Sequence, residues 1–131
     1  MEYTGILQIT SWDENTYSDS ECGSKQSLAK ITQSYDGDVK GKSQLHYLMA
    51  YQSKASAVFV GHEVLTLTAE KRTGTLVLQH NGTFEDGVAK STFEVVFGSG
   101  KEDFEGAAGS GKFESTSNGQ AEYVFNLVLQ E

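Results

Sequence analysis

Short runs of alternating apolar and polar residues follow one another along the whole chain. Each run closes at a turn rich in Gly or Asp, and no stretch has the 3.6-residue period of an amphipathic helix. The pattern predicts eight strands: Tyr3–Trp12, Ser27–Tyr35, Val39–Gln52, Ala55–Thr68, Thr73–Glu85, Val88–Phe97, Gly111–Ser115 and Ala121–Gln130. Asp36-Gly37, Asp86-Gly87 and Asn118-Gly119 are hairpin signals, because each pair tolerates the positive φ of a tight two-residue turn. Ala69 to Arg72 reads as a further turn, and the polar stretch Asp13 to Lys25 as the longest loop. A Gly-rich segment, GSGKEDFEGAAGSG, separates the sixth strand from the last two.

Strands of this kind must hide their edges, and closing the sheet on itself removes the edges altogether. Gly5, Gly41, Gly61 and Gly82 lie well inside apolar patterns, where a glycine weakens a strand unless it marks a bulge or a sharp bend. A closed barrel needs such bends. The expected fold is therefore all-β, a closed antiparallel barrel of about eight strands forming one domain over residues 1–131, with a two-sheet sandwich as the structural alternative. The faces carry a second expectation. Val58, Val60 and Val64 lie opposite Ala57, Phe59, Leu65 and Leu67, and Tyr123, Phe125, Leu127 and Leu129 lie opposite Val124 and Val128. Both faces then read as buried, and either a second subunit or the Asp13–Lys25 loop would cover the outside.

Composition narrows the partners. Ten Lys and Arg against 18 Asp and Glu give a formal charge of -8, which repels a phosphate backbone and argues against nucleic acid. No run approaches the roughly 18 apolar residues of a membrane-spanning helix, so no membrane partner is expected. Cys22 is the single cysteine, which precludes an internal disulfide and fits a reducing cytoplasm.

The opening ILQITSWDENTYSD, the run VFVGHEVLTLTAEKRTGTLVLQHNGTFEDGVAKSTFEVV and the segment GSGKEDFEGAAGSGKFE resemble a bacterial domain-of-unknown-function family of small β-barrel proteins. That family is similar in fold to allene oxide cyclase and to plant dirigent proteins. The Gly-rich run with Phe104, Gly106 and Gly109 resembles a motif that precedes the final strands of those barrels. The resemblance implies the allene-oxide-cyclase-like barrel. It transfers no catalytic set, since Lys101 follows Ser99-Gly100 in place of the usual Thr, and Ala108 stands beside Gly109 where a dirigent-like motif has Arg.

The chemistry-bearing candidates are polar groups that share a face with large apolar side chains. His80 alternates with Leu76, Leu78 and Phe84, and Glu63 with Phe59, Leu65 and Leu67. Burial would raise the carboxyl pKa and lower the imidazole one, which suits a general acid or base, or a structural hydrogen-bond network. Tyr47 and Tyr51 share a face with Leu45 and Met49, and a phenol with an apolar body and a polar tip suits a ligand-lined lumen as well as a packed core. Trp12 either lies over a ligand at the barrel mouth or plugs the bottom.

Other motifs carry little. Gly106 to Lys112 reads G-x-x-x-x-G-K, but Phe113 replaces the Ser or Thr of a phosphate loop and no helix follows. His46, His62 and His80 lack metal-ligand spacing. The acidic residues Asp13, Glu14, Asp19 and Glu21 lack the alternation of a calcium loop and read as solvated. Asn81-Gly82-Thr83 matches a glycosylation acceptor inside a strand, and Cys22 reads as inert surface. No metal and no cofactor are called for.

Three functions fit. The first is a binding module whose lumen holds a small apolar or amphipathic molecule, contacted by Glu63, His80, Tyr47, Tyr51 or Trp12. The second is a cofactor-independent isomerase or cyclase acting in the same lumen. The third is a filled structural barrel that assembles into homo-oligomers.

Overall fold

In the computed structural model, which describes residues 1–20, 24–116 and 118–129, the last long strand returns to pair with the first. β1 (Glu2–Asp19), β2 (Lys25–Gly37), β3 (Lys40–Ser53), β4 (Ser56–Ala69) and β5 (Arg72–Glu85) form a meander of consecutive antiparallel hairpins. β6 (Val88–Val95) pairs with β5, β8 (Ala108–Ser115) with β6, and β9 (Gln120–Val128) with both β8 and β1. The result is the expected closed eight-stranded antiparallel barrel. The short β7 (Lys101–Glu102) is added beside the start of β5.

Three expectations are corrected. Asp13 to Asp19 is not loop: β1 continues through Asp19 and pairs with β2 as far as Asp19↔Lys25, so this hairpin projects beyond the part of β1 that pairs with β9. Polar composition hid the strand because every side chain from Asp13 to Asp19 except Glu14 is exposed. Glu21 and Cys22 lie outside the described residues, as does Gln130 at the expected end of the last strand. Phe97 is not strand but fully exposed beyond Val95, and β8 begins three residues earlier than expected, within the Gly-rich run. Nor are both faces of β4 buried. Ala57, Phe59, Leu65 and Leu67 point inward, while Val58, Val60 and Val64 are 45%, 49% and 50% exposed. No segment of the described chain folds over them.

The interior is filled unevenly. At the end marked by the β2–β3 and β4–β5 turns, Tyr3, Leu67, Leu76, Phe104, Tyr123 and Leu127 belong to one continuous apolar cluster. Tyr123 closes this end by donating to the Asp36 carbonyl at 2.8 Å and accepting from the Val39 amide at 3.0 Å. A Cβ at Gly5 would collide with the Asp36 carbonyl and this phenol, so the glycine there makes room for the contact. At the other end a smaller cluster of Ile31, Leu45, Tyr47, Met49 and Phe59 lines the wall without filling the middle. Gly82 belongs to this end: a Cβ there would strike the tip of the Phe59 ring.

Candidate functional site

Between the two apolar clusters runs a belt of buried polar side chains. Glu63 on β4 and His80 on β5 are both 0% exposed. The register places Glu63 opposite Leu78 and Gly61 opposite His80, so the two inward side chains are diagonal neighbours and meet across the glycine. His80 Nε2 lies 2.7 Å from Glu63 Oε1, and Glu63 Oε2 accepts from the Tyr35 hydroxyl at 2.5 Å and from Gln33 Nε2 at 3.1 Å. On its other side, His80 Nδ1 is 2.8 Å from Ser91 Oγ, which in turn lies 3.2 Å from the Asn81 and Thr92 carbonyls. Which of His80 Nδ1 and Ser91 Oγ donates follows from the ring tautomer. A proton lies between His80 Nε2 and Glu63 Oε1.

Its position follows from the surroundings of Glu63. Burial opposes charge on the carboxyl, but the hydrogen bond and charge of His80, with the Tyr35 hydroxyl, outweigh it and hold the pKa below the usual value. The shared proton therefore lies on the nitrogen side. The Tyr35 phenol is pushed well up by burial first, then by the charge of Glu63. Ser43, also buried, makes no well-formed hydrogen bond, though it is near enough to Glu63 to favour its charged form. Tyr47, Phe93 and Phe113 surround the imidazole at ring-centre distances of 5.5, 5.1 and 5.8 Å. Three side chains engage the Glu63 carboxylate and Ser91 engages the far side of His80, all inside an aromatic cage.

The open space lies on the mouth side of this belt. A cavity of about 240 Å³ is walled by Ile9, Trp12, Met49, Phe59, Phe84 and Phe113, with Gln33 and Tyr47 as its inner polar side chains and Ser115, Thr116, Asn118 and Gln120 among its outer ones. Gln33 commits its amide nitrogen to Glu63, which leaves its carbonyl oxygen as an acceptor. The Tyr47 phenol, raised well above its ordinary pKa by burial and then by the charge of Glu63, stays neutral and is a free donor.

Trp12 reaches this mouth through a change of face in β1. Tyr3, Leu7 and Ile9 point inward at odd positions, but a bulge between Ile9 and Ser11 brings Trp12 and Glu14 inward opposite Ile31 and Ala29. The indole is 46% exposed at the mouth and donates to Glu14 Oε1 at 3.0 Å. Glu14 Oε2 also accepts from Ser27 and from Tyr51, at 2.5 and 2.9 Å. Burial opposes the charge of Glu14, and these donors overcome it and lower its pKa. Burial and the Glu14 hydrogen bond raise Tyr51 to about 12.

Of the five candidates, Trp12 and Tyr47 line the cavity. Glu63 and His80 stand behind its wall, joined to it through Gln33 and the Tyr47 ring. Tyr51 sits apart, on β3 beside the projecting hairpin, with its hydroxyl on Glu14 and Lys25 over its ring. Trp12 does not plug the bottom, where Phe104 and Tyr123 pack instead. Ile9, Phe84 and Phe113 were missed as site residues. Phe84 was in view as an inward neighbour of His80, but only the closure of β5, β6 and β8 brings it to Phe113.

His46 and His62 are direct cross-strand partners on the outer surface, while His80 is inside, so the three do not converge. Among the described residues no group of three or more His, Cys, Asp or Glu side chains could hold a metal ion, and no helix is long and apolar enough to cross a membrane.

Among known families, the one described as protein of unknown function, DUF3224, matches residues 3–127. The crystal structure of a protein with unknown function from the DUF3224 family of Shewanella oneidensis MR-1 is similar over 100% of this chain and 98% of that chain. The TM-score is 0.83 and the sequence identity 28%. No curated protein matches the chain.

Proposed function

The chain belongs to the DUF3224 family, and we propose that it binds a small apolar or amphipathic molecule in the half of the barrel that its own side chains leave open. The observation that carries the reading is the contrast between the two ends. One is packed solid by aromatic and aliphatic side chains, and the other holds a cavity of about 240 Å³ with aromatic walls and the polar side chains of Gln33 and Tyr47 at its inner end. An apolar cavity of roughly 150 Å³ suffices for benzene, so this one takes a ligand of about ten to fifteen non-hydrogen atoms. Tyr47 would donate to the ligand and Gln33 would accept from it, and the polar residues at the mouth leave room for a hydrated group at its outer end.

A proton-shuttling isomerase draws less support. It requires His80 or Glu63 to touch the substrate, and both are enclosed by other side chains with their hydrogen-bonding groups engaged.

The test is a thermal-shift and fluorescence titration against substituted phenols, naphthols and medium-chain alcohols and acids. Trp12 is the single tryptophan and stands at the mouth, so its emission reports occupancy. A saturable change, abolished by filling the cavity with Ala89→Phe in a protein that keeps its far-ultraviolet spectrum, supports the reading. Binding that survives Ala89→Phe, or no saturable response anywhere in the panel, overturns it.

A further inference from the structure

The outer surface divides sharply by charge. Residues 25–84 hold seven Lys and Arg and four acids, net +3, while the rest of the chain holds three Lys and fourteen acids, net -11. Of those four acids, Asp36, Asp38 and Glu70 sit at hairpin turns at one end and Glu63 is inside the barrel. The outward positions of β2, β3, β4 and β5 therefore carry no carboxylate until Glu85, the last residue of β5, except Asp36 at the turn end of β2, where it pairs with Lys40. Across the barrel, by contrast, Glu94, Glu114 and Glu122 are exposed.

That acid-free face is also the one with exposed apolar side chains in register. Leu28, Leu48 and Val60 form one row across three strands, with Val58 beside it on β4, and Val64 and Val77 form a second row four residues further along β4. Leu48, Val58, Val60 and Val64 are 51%, 45%, 49% and 50% exposed. Polar side chains would serve a solvated strand face equally well, so the apolar rows mark a surface that meets another surface.

We propose that the outer face of β2–β5 is a self-association surface, and that it meets the same face of a second copy across a two-fold axis. Charge selects this occupant. Two chains of net charge -8 repel one another in most orientations, and this is the face that brings no carboxylate of the barrel wall against another. A two-fold axis lying across the strands sets the Arg72 end of β5 in each copy against the Glu85 end of β5 in the other. The size also fits: three strands of 14 residues present roughly 650 Å², and β2 brings the face close to the about 800 Å² per partner of a stable interface. The surface lies on the barrel wall, outside the cavity, so this proposal stands or falls separately from ligand binding.

Sedimentation equilibrium of the intact chain from 1 to 200 µM at neutral pH decides it, with a dimer of twice 14.3 kDa expected. Val60→Glu should weaken dimerisation at least tenfold with an unchanged far-ultraviolet spectrum. If that variant misfolds, the double variant Leu48→Thr with Val60→Thr keeps the strand preference and should weaken it as well. A wild-type monomer throughout the range overturns the proposal, as does a dimer that persists in the well-folded Leu48→Thr, Val60→Thr protein. A monomer that binds anionic vesicles or nucleic acid through this face would give the surface a different partner and overturn it too.

Discussion

Replacing Glu63 separates a structural carboxylate from a ligand-facing one. In Glu63→Ala the Tyr35 hydroxyl, Gln33 Nε2 and His80 Nε2 lose their shared acceptor inside the barrel. A buried donor left without a partner costs about 1–3 kcal/mol. The imidazole can place its hydrogen on Nδ1, toward Ser91, which leaves the Tyr35 phenol and the Gln33 amide as two orphaned donors at about 2 kcal/mol each. The expected loss is therefore about 4 kcal/mol. For a domain of this size that lowers Tm by roughly 10–20 °C.

Glu63→Gln behaves differently. The new side chain carbonyl accepts from Tyr35 and Gln33, its amide donates to His80 Nε2, and His80 places its hydrogen on Nδ1, toward Ser91. Every partner stays satisfied with no charge inside, so the cost should be about 1 kcal/mol. Urea unfolding followed by circular dichroism at pH 7 measures both, with a shared m-value as the control on two-state behaviour. Equal losses in the two variants would refute the proton placement argued above. A loss below about 1 kcal/mol in Glu63→Ala would refute the structural role altogether. Ligand affinity provides the complementary readout: Glu63 stands behind Gln33, so Glu63→Gln should shift Kd less than threefold.

Acid should reveal the same network. The folded pKa of Glu63 is depressed, so its contribution is present above the unfolded value of about 4.3 and is lost as pH falls through the folded value. The stability gap between wild type and Glu63→Gln, measured by urea unfolding from pH 7 to pH 2.5, should hold steady above about pH 5 and narrow below it. Tyr47→Phe should weaken a ligand that accepts a hydrogen bond by about tenfold, with little effect on a hydrocarbon of the same shape, as calorimetric titration would show. Glu14→Ala should release the indole from its 3.0 Å hydrogen bond, shift Trp12 emission to longer wavelength, and speed ligand dissociation severalfold in stopped-flow fluorescence.

The barrel was legible because its turns are local and its inward faces are strict. Asp36-Gly37, Asp86-Gly87 and Asn118-Gly119 each stand at a hairpin, and the odd positions of β3 and β4 are buried in an almost unbroken alternation. The pairing of Glu63 with His80 needed only the β4–β5 register, which the tight turn at Glu70 and Lys71 sets through its two positive-φ residues. The β1 bulge was not legible. It adds one residue, Thr10, whose type announces nothing, yet everything after it changes face and Trp12 reaches the cavity instead of solvent. The further likeness to allene oxide cyclase and dirigent barrels rested on the Gly-rich run, which here begins β8 and places Phe104 in the core without supplying a site residue.

The misreading of the β4 valines has a different cause. Valine fits any pleated strand through its stiff β-branched side chain, so an outward Val and an inward Val look alike in sequence. What distinguishes the outer face is not its apolar content but the absence of carboxylates from Lys25 to Phe84, apart from three at turns and the one enclosed by His80. A chain with 18 acids would scatter them over every outward strand if each had only to face water. Their exclusion from four adjacent strands is a constraint that neither the barrel nor its cavity imposes, which is why the surface calls for a partner of its own.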